Sequence, residues 1–332
     1  MDSLLCDEDW LKSPPSTHHY SKFDTCMDSF YTTLEDCKDA LMVYLKKENS
    51  YMPELGYVDR LHSSNNLLLA RIKAIHVLIK YASRLDLGSQ TVFNAVNYFD
   101  RFISTNKCNI EVAGFVELLS VACLSISAKF GEVSIPQMHE FQMDDQDDSV
   151  QASTIQLMEL EVLKALGWRL NCITSFSYKE LLLKFLDYDL QPQIRCTLSS
   201  RVTELLFGAL SDPKFIQFRP STIAVSALRC SLEELAPSKS DAYLFKLLCL
   251  IPQDQKVDIN KSHKIMEEQV ADPLYCSSPN CCPYFPSSPV TVMQVQRIDT
   301  FNCYIDLSLS MVPGSNLNLP LNPKKRKREE DT

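Results

Sequence analysis

The hydrophobic pattern of the chain centres on one segment. Residues 112–128, VAGFVELLSVACLSISA, carry a single charge, Glu117, and are small or apolar on every face of the helix they predict. A helix that is apolar all round either crosses a membrane or forms the central rod of a bundle. This one is shorter than the roughly 20 residues of a span and contains three serines, so the pattern predicts a buried rod and no membrane contact. Its neighbours are amphipathic. On the predicted helix Leu67–Arg84 the polar stripe is Lys73, His76, Lys80 and Arg84, and on Ser89–Ser104 it is Gln90, Asn94, Asn97 and Arg101. Ser153 and Gln156 form a capping box that opens a helix running to about Leu166.

The same periodicity continues in the second half. Residues 174–186, 194–210 and 218–235 are amphipathic, with Pro220 before a helix that Pro237 follows, and further helices are predicted at about 239–250 and 253–270. Residues 1–30 are polar, with Pro14 and Pro15. From Asp272 onward proline and serine dominate. The expectation is an all-α chain with unstructured ends.

Composition narrows the chemistry. Seven glycines, none within a few residues of another, exclude GxGxxG, the P-loop and the GxSxG elbow. The six histidines, at 18, 19, 62, 76, 139 and 263, have neither ligand nor triad spacing among themselves. The reading is therefore a helical binding protein, not an enzyme, with no cofactor and no metal. Thirteen cysteines without a CxxC and the lack of an N-terminal signal sequence suggest reduced thiols in an intracellular protein. The formal net charge is -9; outside the basic run 324–328 and the acids after it, 28 basic residues face 39 acidic ones, or -11. So acidic a body is not expected to bind nucleic acid directly. Asp144, Asp145, Asp147 and Asp148 lack the glycine and closing glutamate of an EF-hand loop.

Three charges stand on the wrong face. Arg71 projects from the apolar side of its helix and needs a partner, for which Asp100, off the polar stripe of the next helix, is the candidate. Glu159 is surrounded by Ile155, Val162, Leu163 and Leu166, while Glu161 and Lys164 point away. It either pairs inside the core, with Lys129 at the rod's end as its complement, or faces another protein. Spacing alone leaves both open.

The runs FNAVNYFDRFIS (93–104), LLSVACLSISAKFGE (118–132) and MELEVLKALGWRLN (158–171) together resemble the cyclin box of D-type cyclins. KKENSYMPELGYVDRL (46–61) is similar to the lead-in of plant members. The resemblance implies two tandem five-helix cyclin-box domains, an N-terminal box with lead-in helix over 31–172 and a C-terminal box over 173–271. Flanking them would be a disordered head (1–30) and a disordered Pro/Ser-rich tail (272–332). It implies that Lys129 and Glu159 match the lysine and glutamate with which cyclins grip their kinase, and that Arg71 and Asp100 match the internal ion pair of the box. The docking groove of many cyclins is altered here. Ala70 and Val77 stand where a methionine and a tryptophan are usual, Lys73 and Ala74 replace apolar residues, and Gly131 replaces a common acid.

Two linear motifs complete the sequence. Leu4-x-Cys6-x-Glu8 is similar to the motif by which D-type cyclins bind retinoblastoma-related pocket proteins; Leu and Cys share one side of an extended strand and Glu takes backbone N–H groups. Lys324, Lys325, Arg326, Lys327 and Arg328 form a basic nuclear-import motif. Ser13, Ser278 and Ser288 precede prolines and are candidate phosphorylation sites. The expected function is a regulatory subunit that binds and activates a cyclin-dependent kinase. It would direct that kinase to pocket proteins at the G1/S transition, in the nucleus with a cytoplasmic pool. An import receptor and kinase-inhibitor proteins are further expected partners. The alternative is a tandem cyclin-fold transcription factor or scaffold.

Overall fold

Gly114 decides where the central rod begins. Its φ of 75°, in the left-handed region, turns the chain before the helix, so α5 spans Phe115–Gly131 rather than starting at Val112. The computed structural model describes residues 33–106, 110, 112–141, 152–186 and 192–271. The Leu4–Glu8 motif, the basic run 324–328 and all three candidate phosphorylation sites lie outside them. Among the described residues all regular structure is helical.

A first bundle is built from α2 (Tyr57–Ser63), α3 (Asn65–Arg84), α4 (Ser89–Thr105), α5 and α6 (Ala152–Ala165). Every residue of α5 from Leu118 to Ala128 is buried, as its pattern predicts. Two of its three serines fit because their hydroxyls bond backbone: Ser120 donates to the Val116 carbonyl at 2.6 Å and Ser127 to the Thr91 carbonyl at 2.9 Å, while the buried Ser125 hydroxyl has no partner among the described residues. Ser153 does not cap α6. The helix already starts at Ala152, with the strongest helix former in its first position, so Ser153 lies inside the first turn.

The second bundle contains α7 (Ser175–Leu186), α8 (Pro192–Ser211), α9 (Pro220–Leu235), α10 (Pro237–Leu248) and α11 (Lys256–Ala271). It has its own hydrophobic core, and α9 plays the central part that α5 plays in the first.

Helix α1 (Leu34–Lys47) precedes the first bundle in sequence but packs on the second. Leu41 and Leu45 join the second core, and Tyr44 meets Tyr178 of α7 edge-on at 5.6 Å. Just after it, Glu48 is fully buried. Its carboxylate accepts the Tyr178 hydroxyl at 2.8 Å and the Ser221 N–H and hydroxyl at 3.0 and 2.9 Å. Burial pushes the Glu48 carboxyl above its ordinary 4.5, against the pull of those donors. Glu48→Gln leaves donors facing an amide and is expected to cost about 2 kcal/mol at pH 7. A raised folded pKa means stability present below the unfolded value and lost as pH rises through the folded one. The gap between wild type and Glu48→Gln should therefore be wider at pH 5 than at pH 7 in urea unfolding. An equal or narrower gap at pH 5 would contradict the assignment.

The polar stripe of α4 does not face water. Asn97 donates to the Tyr51 carbonyl at 2.7 Å, Gln90 reaches Thr174 and Ser177, and Arg101 donates to the Arg169 carbonyl at 2.9 Å. Arg101 and Arg169 both lie over the Tyr51 ring, at 5.4 and 5.2 Å. Gly167 and Trp168, with φ of 58° and 60°, stop α6 abruptly and turn Arg169 towards this stack. The stripe thus ties the connectors on either side of the first bundle to α4.

Candidate functional site

One helix end and the middle of another helix form the site. The last turn of α5 presents Lys129, and the middle of α6 presents Glu159 between the buried Ile155 and Val162. The ammonium donates to both carboxylate oxygens, at 2.6 and 2.7 Å. Of the two alternatives left open by spacing, the structure shows the internal pair: the charges meet each other, with the Lys129 side chain keeping 39% of its exposure against 10% for Glu159. One side of the pair faces the core and the other faces out.

Its surroundings are apolar and exposed. Phe130, next to Lys129, is 69% exposed and Leu160, next to Glu159, 41%; Leu157, Val133 and Ile135 are also exposed. Single exposed apolar residues are ordinary, but these five lie close in sequence to the two charges, on α6 and on the end of α5 with the chain that follows it.

Glu132 fixes this end of α5 against the start of α4. The α4 N-cap is Gly88, which has no side chain to offer, and Glu132 supplies the missing acceptor by taking the Gly88 N–H at 2.7 Å and the Thr91 hydroxyl. The cap arrives from 44 residues away, so no local pattern announces it. At Gly131 an added Cβ would meet Thr91 Oγ1 at an ordinary 3.5 Å, so a Cβ is accommodated there.

Arg71 and Asp100 meet as their burial requires. The guanidinium donates to both carboxylate oxygens at 2.9 and 3.1 Å, and Asp100 also accepts the Tyr57 hydroxyl at 2.7 Å. Arg71 further donates to the Leu210 carbonyl at the end of α8, joining the bundles. Burial, with Asp100 adding to it, pushes the Tyr57 hydroxyl well up. On the neighbouring surface, Ala70 and Lys73 line a cavity of about 310 Å³ with Leu69 and Val116. Ala74 does not line it: the residue is fully buried in the core, and Val77 packs partly against that core. Burial drives the thiols of Cys172 and Cys230 to about 12, in keeping with cysteine as apolar filler.

The model of the cyclin N-terminal domain matches residues 39–171. Putative cyclin-D7-1 of Oryza sativa subsp. japonica is 37% identical over 239 residues, covering 69% of this chain and 68% of that protein. The chain belongs to the D-type cyclins. Cyclin-D3-3 of Arabidopsis thaliana is 30% identical over 263 residues, or 79% of this chain and 67% of the relative. Cyclin-D4-1 of the same plant is 29% identical and covers 84% and 89%. Among solved structures, a viral cyclin from herpesvirus saimiri shares the fold, with a TM-score of 0.50 and 16% identity over 72% of this chain and 96% of that one. This D-type cyclin therefore belongs among the regulatory subunits of cyclin-dependent kinases, and its role is in the cell cycle.

Proposed function

We propose that this D-type cyclin grips its kinase through Lys129, Glu159 and the apolar side chains beside them. The observation that carries the reading is the half-open ion pair: a charge pair satisfied within the chain, its Lys129 side chain 39% exposed, with Phe130, Leu157 and Leu160 exposed on the same two helices. Such a surface has donors and an acceptor for a partner's backbone and apolar area to exclude water around them. Held there, the kinase's αC helix keeps its glutamate in place for the Lys–Glu ion pair on which phosphoryl transfer depends. Kinase pull-down with the two charges exchanged tests the surface. The family favours this role over a transcription factor or scaffold, and the net charge of -9 adds nothing for nucleic acid.

Leu4, Cys6 and Glu8 tether a retinoblastoma-related pocket protein, raising its effective concentration near the kinase and directing the complex to the G1/S transition. The basic residues 324–328 engage an import receptor and take the protein to the nucleus. Ala70 and Lys73 make the neighbouring cavity a poor anchor for an apolar docking motif, and its use by substrates or inhibitor proteins differs accordingly. Replacing Cys6 and Glu8 together by alanine is expected to lower phosphorylation of a pocket protein about tenfold or more, and to leave a short peptide substrate unaffected. Equal losses on both substrates would remove the tether.

A further inference from the structure

The second bundle contains a group of side chains that kinase binding does not use. Glu233 lies on the last full turn of α9. His263 and Glu267 lie four residues apart on α11, hence on the same face of that helix. His263 Nε2 is 2.9 Å from Glu233 Oε2, and its Nδ1 is 3.3 Å from Glu267 Oε2. One ligand atom from each of the three lies within 4.8 Å of the others. The imidazole is buried, Glu233 half-buried and Glu267 exposed. The group therefore runs from the core to solvent, which gives an ion a route in.

We propose that Glu233, His263 and Glu267 form a site for a divalent cation of the zinc class, clamping α11 to α9. Around an ion with bonds of about 2.0–2.1 Å, tetrahedral ligands stand roughly 3.3 Å apart; Glu233 and Glu267 contact opposite ring nitrogens, so the exposed Glu267 carboxylate has to swing across from Nδ1 to join Glu233 at an ion held by Nε2. One imidazole nitrogen with two carboxylate oxygens is a borderline donor set suited to zinc, and three protein ligands leave the fourth position to water. Glu233 is held from behind: Arg229 donates to its other oxygen at 2.8 Å and also reaches Asn260 on α11 at 3.1 Å. That fixes the carboxylate in the way outer hydrogen bonds orient metal ligands. Two carboxylates match the ion's two positive charges, and the Arg229 guanidinium adds one more. A proton bridging imidazole and carboxylate leaves as the ion enters. The spacing of the histidines among themselves hides the site, because its other two ligands are glutamates and one comes from another helix.

The test is a titration of the reduced full chain with Zn²⁺, and with Co²⁺ as a coloured probe. Expected are a rise in Tm of about 4 °C at saturation, a visible Co²⁺ absorption band, and loss of both in His263→Gln, with affinity falling at least tenfold. Because His263 is buried and its variant can fail to fold, Glu267→Gln is the companion: its side chain is 56% exposed, so the fold should stand while one binding site disappears. Unchanged stoichiometry and Tm shift in Glu267→Gln would mean that cysteines or histidines elsewhere, such as His18 and His19, take the ion, and would overturn the proposal. So would the absence of any Zn²⁺ effect on the wild type, which would leave the three side chains as a proton-bridged clamp.

Discussion

Exchanging the two charges, Lys129→Glu with Glu159→Lys, is expected to leave a folded protein that no longer binds its kinase. The pair can form again with its polarity reversed. The Lys129 side of it is open to water, with 39% of that side chain exposed, so its contribution to stability is modest in either orientation. Circular dichroism and thermal unfolding should change little. A kinase surface that meets the pair does not tolerate the exchange, because a donor now stands where an acceptor was required and like charges oppose each other. Truncating or reversing a close charge contact in an interface costs 2–5 kcal/mol; about 3 kcal/mol is a loss of affinity of at least a hundredfold. Pull-down or calorimetry with the partner kinase reads it directly. Binding within a few-fold of wild type would remove this surface from the interface. The single change Lys129→Ala is less informative, since it leaves a carboxylate that is only 10% exposed without its cation and mixes folding with binding.

Arg71→Met should have the largest effect on stability. It leaves Asp100, 6% exposed, with the Tyr57 hydroxyl as its remaining donor, and removes the donor to the Leu210 carbonyl. Removing one partner of a buried pair costs 3–5 kcal/mol, whereas replacing both with apolar groups of similar volume is often close to neutral. Arg71→Met with Asp100→Leu should therefore regain most of the stability lost by Arg71→Met alone, measured by urea unfolding. If the double variant is as unstable as the single one, the cost lies in the contact between bundles through Leu210 rather than in the uncompensated carboxylate. The contrast with the first prediction follows from burial: the Arg71–Asp100 pair is shut off from water and the Lys129–Glu159 pair is open to it.

Much of this was legible in single helices. The all-round apolarity of 118–128 fixed it as the central rod, and Arg71 on an apolar face required a carboxylate, for which Asp100 was the candidate one helix on. Glu159 was recognisable as anomalous for the same reason. Other features were not legible because they depend on residues far apart in the chain. The stripe Gln90, Asn94, Asn97 and Arg101 has the period of a solvent face, but in the folded protein it meets Tyr51, Arg169 and Thr174. Glu48 in the lead-in looks like one more charge among lysines until Tyr178 and Ser221 close over it.

The sequence by itself determined which segments are helical, which of them are wholly buried, and which charges need a partner, because side-chain polarity at a period of 3.6 residues is a local property. Tertiary structure alone decided who those partners are: that α1 packs on the second bundle, that Glu132 caps α4, that Lys129 is paired yet open, and that Glu233 converges with His263 and Glu267. Each depends on two helix faces approaching within hydrogen-bond distance, and that distance is fixed by packing between elements rather than by the residues of either element alone.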